Sequence, residues 1–289
     1  MKSAIIVDST AYLDEKLSGH PDVYTVNLSV HFHDGSDLVD TANYEEQQAF
    51  YARLLKETHL PTTSQPKPGD YYALLDQLIE ADYEVVYCVH LSSEISGTFQ
   101  TAQMITDEYK DKLTIYCVNS KAASIVMGRM VEQALDDIQK GLAPSEVHEH
   151  LTWFANESRV YLMVEDLNNL VKGGRLSATS AFLGGMLKIR PLLYFDAAGK
   201  ITLFEKIRTN KKVYRRWHEL IEESLAKYPQ GLRVAFAHGD ALAEIEEVKQ
   251  ELAQSFPQVN FSIGSLGPVV GAHTGKGVKG MGIMPNLPQ

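Results

Sequence analysis

The sequence predicts an α/β fold of two lobes: an N-terminal doubly wound, mostly parallel sheet and a C-terminal mixed α/β lobe. Three observations carry that expectation. Through the first half, short apolar runs alternate with helix-length stretches, the pattern of a parallel sheet covered on both faces. The second half changes texture, with five strand-like runs and, between two of them, the hairpin turn Asp196-Ala197-Ala198-Gly199-Lys200. The 289 residues, 44% hydrophobic and 22% charged, suit one large domain or two smaller ones. A division is expected near residues 145–160, giving lobes 1–150 and 151–289.

The elements follow in chain order. Ala4–Val7 reads as a buried strand ending at Asp8-Ser9-Thr10, Val85–Val89 as one ending at His90-Leu91-Ser92-Ser93, and Leu113–Val118 as one ending at Asn119-Ser120-Lys121. Helices are expected over Tyr44–Lys56, Pro68–Ala81, Gly97–Tyr109 and Ala122–Lys140. Another should follow Gly141-Leu142-Ala143-Pro144, with Ser145 as its cap. Later strands are expected at Val160–Val164, Leu192–Phe195, Ile201–Phe204, Leu232–Ala237 and Val259–Ile263, with helices over Asn210–Lys227 and Ala241–Gln254. Ala178–Ile189 reads as a helix buried on much of its surface, its small residues permitting close approach.

Composition narrows the partners. A formal net charge of −10 argues against nucleic acid or anionic membrane, both of which need a basic surface. A single pocket rich in N–H donors can still take a small anion. The two cysteines, Cys88 and Cys117, each lie inside an apolar run and read as small hydrophobes in strands. The apolar run after Met1 is too short for a signal peptide and ends at Asp8. No run is long enough for membrane insertion. A soluble, cytoplasmic protein is expected.

In open parallel sheets, ligands bind beyond the carboxyl ends of the strands. Here those ends carry Asp8, Ser9, Thr10, Ser92, Ser93, Ser96, Asn119 and Ser120, and Pro61-Thr62-Thr63-Ser64-Gln65-Pro66 adds more hydroxyls before a helix. Ser96-Gly97-Thr98 falls where a helix N-terminus would favour an anion. Each hydroxyl taken singly is more often a cap than a ligand contact; their gathering at one edge favours a ligand. A nucleophile elbow would need Gly-x-Ser-x-Gly, and neither Ile95-Ser96-Gly97 nor Gly264-Ser265-Leu266-Gly267 has that spacing. A serine-dependent esterase is therefore the lesser alternative. The stretch before Gly275-Lys276 resembles a phosphate loop but fails it, with Val270 at the first glycine's place and Gly277 at the hydroxyl's. His31 and His33 alternate, which would put both on one strand face beside Asp34. A metal needs a third ligand that the sequence does not show.

Seven stretches resemble the DegV family of bacterial fatty-acid-binding proteins: "VDST", "TTSQPKPG", "HLSSEISGTFQTA", "VEDLNNLVKGGRLS", "LKIRPLLYF", "EKIRT" and "GPVVGAHTGKG". They keep the family's order over nearly the whole chain, and Phe99 stands where the family commonly has a tyrosine. The resemblance implies a lipid tunnel between the lobes holding one long-chain fatty acid, with no other cofactor. It implies that Thr63, then Ser96 or Ser93, and His273 meet the carboxylate. Arg175 and Arg208 would serve the headgroup or the docking of a partner. That partner is the catalytic subunit of a fatty acid kinase, which makes an acyl phosphate for phospholipid synthesis. The tail is expected against Phe182, Leu183, Met186, Leu187 and Ile189.

Overall fold

The computed structural model describes residues 1–176 and 190–288. The helix expected over Ala178–Ile189, with its five cavity residues Phe182, Leu183, Met186, Leu187 and Ile189, lies outside them. In chain order the elements are β1 (Ser3–Asp8), α1 (Glu15–Ser18), β2 (Val23–Val26), β3 (Ser29–His31), β4 (Asp37–Val39), α2 (Tyr44–Leu54), β5 (Thr62–Ser64), α3 (Pro68–Glu80), β6 (Val85–His90), α4 (Thr98–Asp107), β7 (Thr114–Asn119), α5 (Ile125–Gln139) and α6 (Pro144–Glu157). Then come β8 (Arg159–Met163), α7 (Leu167–Lys172), β9 (Arg190–Phe195), β10 (Ile201–Ile207), α8 (Asn210–Lys227), β11 (Leu232–His238), α9 (Leu242–Ser255), β12 (Asn260–Ser265), α10 (Pro268–Thr274) and β13 (Lys279–Pro285).

The first sheet is parallel throughout, in the order β2-β1-β6-β7. Alternation along its strands explains why it is covered twice. Ile5, Val7, Val85, Tyr87 and Val89 face a core shared with α5 and α6. Ala4, Ile6, Val86 and Cys88 face one shared with α3 and α4. The second sheet is mixed, in the order β10-β9-β8-β13-β11-β12, with β11 and β12 parallel and the other pairs antiparallel. Its outer face packs on α8 and α9 through Trp217, Leu220, Val248 and Phe236. Its inner face joins the first sheet's core. A third, small antiparallel sheet has the order β4-β3-β5.

Several local expectations need correcting. The helix after Gly141 is not capped by Ser145. Ala143 is the cap, Pro144 opens the first turn, and Glu146 Oε2 accepts from the Ala143 N–H at 2.8 Å. Helix α5 begins at Ile125 rather than Ala122, because Ser124 holds φ 59 and ψ −122, outside the helical region. His33 does not share a strand face with His31: β3 ends at His31, and the chain turns at Gly35, whose φ is 85. His31 is taken up by Asp37 at 2.7 Å and Ser64 at 2.8 Å. Strand β13 has no counterpart in the sequence reading, although it lies in the middle of the second sheet and is buried throughout. Its sequence, Lys-Gly-Met-Gly-Ile-Met-Pro, has too many glycines and too few β-branched residues to announce a strand.

Candidate functional site

A cavity of about 370 Å³ lies between the two large sheets. It exists because the middle of the second sheet's inner face has almost no side chains. Ala237 stands opposite Gly280, Ala235 opposite Gly282, and Gly264 opposite Ala237. Among the described residues, a Cβ placed on Gly280 would make only ordinary contacts, with backbone oxygens at 3.5 and 3.9 Å. Larger residues of the same face, among them Val160, Leu162, Phe195 and Ile201, wall the cavity, and Leu28, Leu91 and Ile95 reach it from the N-terminal half. Such a volume and apolar lining match small-molecule pockets, which add a few polar groups to fix orientation.

Those polar groups come from three segments. Strand β5 pairs with β3, Thr63 opposite Val30, and Val30 packs against Val269 and Ala272 of α10. Cross-strand partners share a face, so Thr63 also looks toward α10. There its Oγ1 lies 2.8 Å from His273 Nε2. Helix α10 is held by the N-terminal half: Val269 N–H donates to Asp40 Oδ1 at 3.0 Å, Val270 N–H to the Tyr12 hydroxyl at 3.2 Å, and the Tyr51 hydroxyl to the Leu266 carbonyl at 2.9 Å. The glycines of that stretch permit this docking, since a Cβ on Gly271 would press on Phe50 and Tyr51 at 2.7–2.9 Å. On the far side of the imidazole a Cβ on Gly173 would stand 2.5 Å from Nδ1, so bare backbone closes that edge of the ring. Arg175 spans the gap to the serine-rich turn, donating from Nε to the Ile95 carbonyl at 3.0 Å and from Nη1 to the Gly173 carbonyl at 2.6 Å. Ser96, half-buried on the cavity wall, shares a hydrogen bond of 2.8 Å with Thr98 Oγ1.

Burial, reinforced by the charge of Arg175, pushes the His273 pKa down to about 4. The ring is thus neutral near pH 7 and a weak base. If its Nε2 donates to Thr63 Oγ1, the threonine hydroxyl proton is released toward the cavity. Thr63, Ser96 and Arg175 then present donors around one end of an apolar chamber, where a buried anion finds the partners it requires. Among the described residues Ser96 bonds a threonine, where a nucleophile would have an imidazole beside it.

A model of the family described as "Uncharacterised protein, DegV family" matches residues 2–286. The protein DegV of Bacillus subtilis (strain 168) is 34% identical over 287 residues, covering 97% of this chain and 98% of that one. The chain belongs to the DegV family. Among solved structures, a fatty acid binding DegV family protein from Streptococcus agalactiae is similar at TM-score 0.91 and 33% identity, over 99% of this chain and 100% of that one. The crystal structure of DegV from Bacillus subtilis, described as a fatty acid binding protein, is similar at TM-score 0.89 and 34% identity, with the same coverage.

The DegV motifs turn out to do different jobs. In "VDST", Asp8 accepts from the Leu91 N–H at 2.8 Å and from Thr10 Oγ1 at 2.5 Å, and Ser9 Oγ donates to Asp40 at 2.9 Å. These three tie strand ends together and do not line the cavity. Ser92 donates to the Gly199 carbonyl at 2.8 Å, holding the hairpin of the second sheet. Ser93 accepts from Asn119 Nδ2 at 2.7 Å and lies off the cavity wall, whereas Ser96 lies on it. Ser120 donates to the Ala122 carbonyl. Thus Thr63, Ser96, Arg175 and His273 come together. Arg208 does not join them and is exposed in the link between β10 and α8.

Residues that the sequence reading passed over also belong to the site. Gln65 lines the cavity, with Nε2 on Thr101 Oγ1 at 2.7 Å and Oε1 pressed on Gly97. Gly173 is the closing edge for His273; paired glycines before an arginine are the sequence signal of such close backbone approach. Ile125 could not be found by pattern, since it reads as one more apolar helix residue. Cys88 and Cys117 stand opposite each other on β6 and β7, both free thiols. Among the described residues, no group of three His, Cys, Asp or Glu is arranged to hold a metal, and no helix is long and apolar enough to cross a membrane.

Proposed function

We propose that this DegV-family chain binds one long-chain fatty acid and presents its carboxylate to a partner fatty acid kinase, with no turnover of its own. One observation supports it above the others: a single cavity joins an apolar chamber over a glycine and alanine floor to a cluster of donors at one end. Relatives described as fatty acid binding share both its fold and about a third of its residues. Thr63, Ser96 and His273 take the carboxylate, with Arg175 bracing the wall between the latter two. The tail supplies affinity at roughly 0.8 kcal/mol for each methylene buried. Arg208, exposed and away from the cavity, is assigned to docking the kinase. In this reading the lobes are residues 1–150 and 151–289, and the protein works in the cytoplasm, supplying acyl phosphate to phospholipid synthesis.

Organic extraction of protein purified from bacteria should release fatty acid in near-equal molar amount. With the kinase and ATP, the loaded protein should yield acyl phosphate. Folded protein that neither carries nor takes up fatty acid would refute the binding. Binding without acyl phosphate formation would refute only the kinase partnership.

A further inference from the structure

A second cavity, of about 270 Å³, runs along α5 from Ile125 past Gly128, Arg129 and Glu132. Among the described residues, the two have Ser124 and Ile125 alone in common in their linings. Ile125 is half-buried and lies against the side-chain-free floor. A Cβ on Gly264 would stand 3.5 Å from its Cγ2, and one on Gly282 only 2.7 Å from its Cδ1. The glycines of β12 and β13 therefore leave a slot that this one side chain fills. The second cavity continues along Leu13, Leu17, Ala235 and Met284, with Arg129, Glu132 and Arg233 also in its wall.

Volume gives the partition a meaning. Ile125 closes the first cavity at this end, and a volume of about 370 Å³ bounds the chain that the cavity can hold. We infer that Ile125 is the partition that sets acyl-chain length: chains that fill the first cavity stop at it, and longer ones must displace it to enter the second. This rests on the fatty-acid reading above. An isoleucine turning about one side-chain bond is a small movement, and Gly264 and Gly282 put no side chain of their own in its way. The charged residues beyond resist desolvation, so the gain ends after a few methylenes.

The test measures dissociation constants of the whole protein for saturated acids from dodecanoic to eicosanoic. In the wild type, affinity should rise by about fourfold per methylene and then break where the first cavity is full. Ile125→Ala should move that break by two or more methylenes toward longer acids, and Ile125→Val by less. Gly128 faces the second cavity, where, among the described residues, its Cβ would meet Leu13 alone, at 3.8 Å. Adding Gly128→Leu to Ile125→Ala should therefore restore the wild-type break. A folded Ile125→Ala protein that binds acids with an unmoved break overturns the partition and leaves the fatty-acid reading standing. A break that moves but is not reversed by Gly128→Leu also overturns it, because the tail is then not in the second cavity. If Ile125→Ala fails to fold, Ile125→Val decides by the same criterion. Failure of the wild type to bind any acid would sink both readings together.

Discussion

Two clusters of hydroxyls and acids lie within this molecule, and they differ in what they leave unspent. Around Asp8, Ser9, Thr10 and Asp40 every side chain is buried and turned on another protein group. Asp8 alone accepts from Leu91 N–H, Thr10 N–H and Thr10 Oγ1, and lies 3.2 Å from His90 Nδ1. Around Thr63, Ser96 and His273 the side chains are half-buried and border a cavity, Thr63 bonded to His273 and Ser96 to Thr98. The first cluster is a closed network that joins strand ends. The second keeps donor capacity facing empty space. The residue types are nearly the same, so composition does not separate a scaffold from a binding site; saturation of the hydrogen bonds does.

The sharpest way to break that contrast is to open the closed network. Asp8→Ala strands several buried donors, and a loss of about 3–5 kcal/mol is expected, as when a buried pair loses one partner. Denaturant unfolding would measure it, and a loss under about 1 kcal/mol would show that the network is slack. The next effect falls on the cavity. Gly280→Leu introduces four carbons where a Cβ meets no clash, so affinity for a long-chain acid should drop by about two orders of magnitude. Its melting temperature should hold. Unchanged affinity would place the tail elsewhere.

At the polar end, Thr63→Val removes one donor to the carboxylate and the acceptor for His273. Binding should weaken by roughly 1–3 kcal/mol, and stability should also fall where the His273 N–H loses its acceptor, by less than in Asp8→Ala. Ser93→Ala, off the cavity, should leave affinity within about 0.5 kcal/mol of wild type. Calorimetry on both variants reads the difference, and equal losses would erase the distinction drawn between Thr63 on the cavity wall and Ser93 off it.

The smallest effect is a pH dependence in which the two clusters pull in opposite directions. Burial pushes the Asp40 carboxyl up to about 7, so the protonated form is favoured in the fold. Its contribution is whole below the ordinary carboxylate range near 4 and is lost as pH rises through 7. His273, held down to about 4, behaves oppositely: stability falls as pH drops from about 6.5 toward 4. Between those limits the two slopes offset. Asp40→Asn should remove the first alone, so the variant gains on the wild type steadily from pH 4 to 7 in thermal unfolding. A constant difference across that range would show that Asp40 is ionised throughout.

Much of this protein could be read from the chain alone. Apolar runs of strand length between amphipathic helices gave the parallel sheet, because alternation and helical period follow from local backbone geometry. The hairpin at Asp196–Lys200 was equally local: Gly199 adopts φ 92, and the Asp196 N–H bonds the Lys200 carbonyl at 2.9 Å. The motifs pointed to Thr63, Arg175 and His273, and the structure brings these three together. What only the tertiary structure decided are matters of what is absent or what lies across a gap. Strand β13 is a central strand whose glycines conceal it, since its value to the fold is the side chains it lacks. Whether Ser96 or Ser93 borders the cavity depends on Asn119, a strand away and 26 residues on from Ser93. The partition at Ile125 exists only because two glycines more than a hundred residues later lie beneath it. A hydrogen bond or a void belongs to a pair of surfaces, and one stretch of sequence describes only one of them.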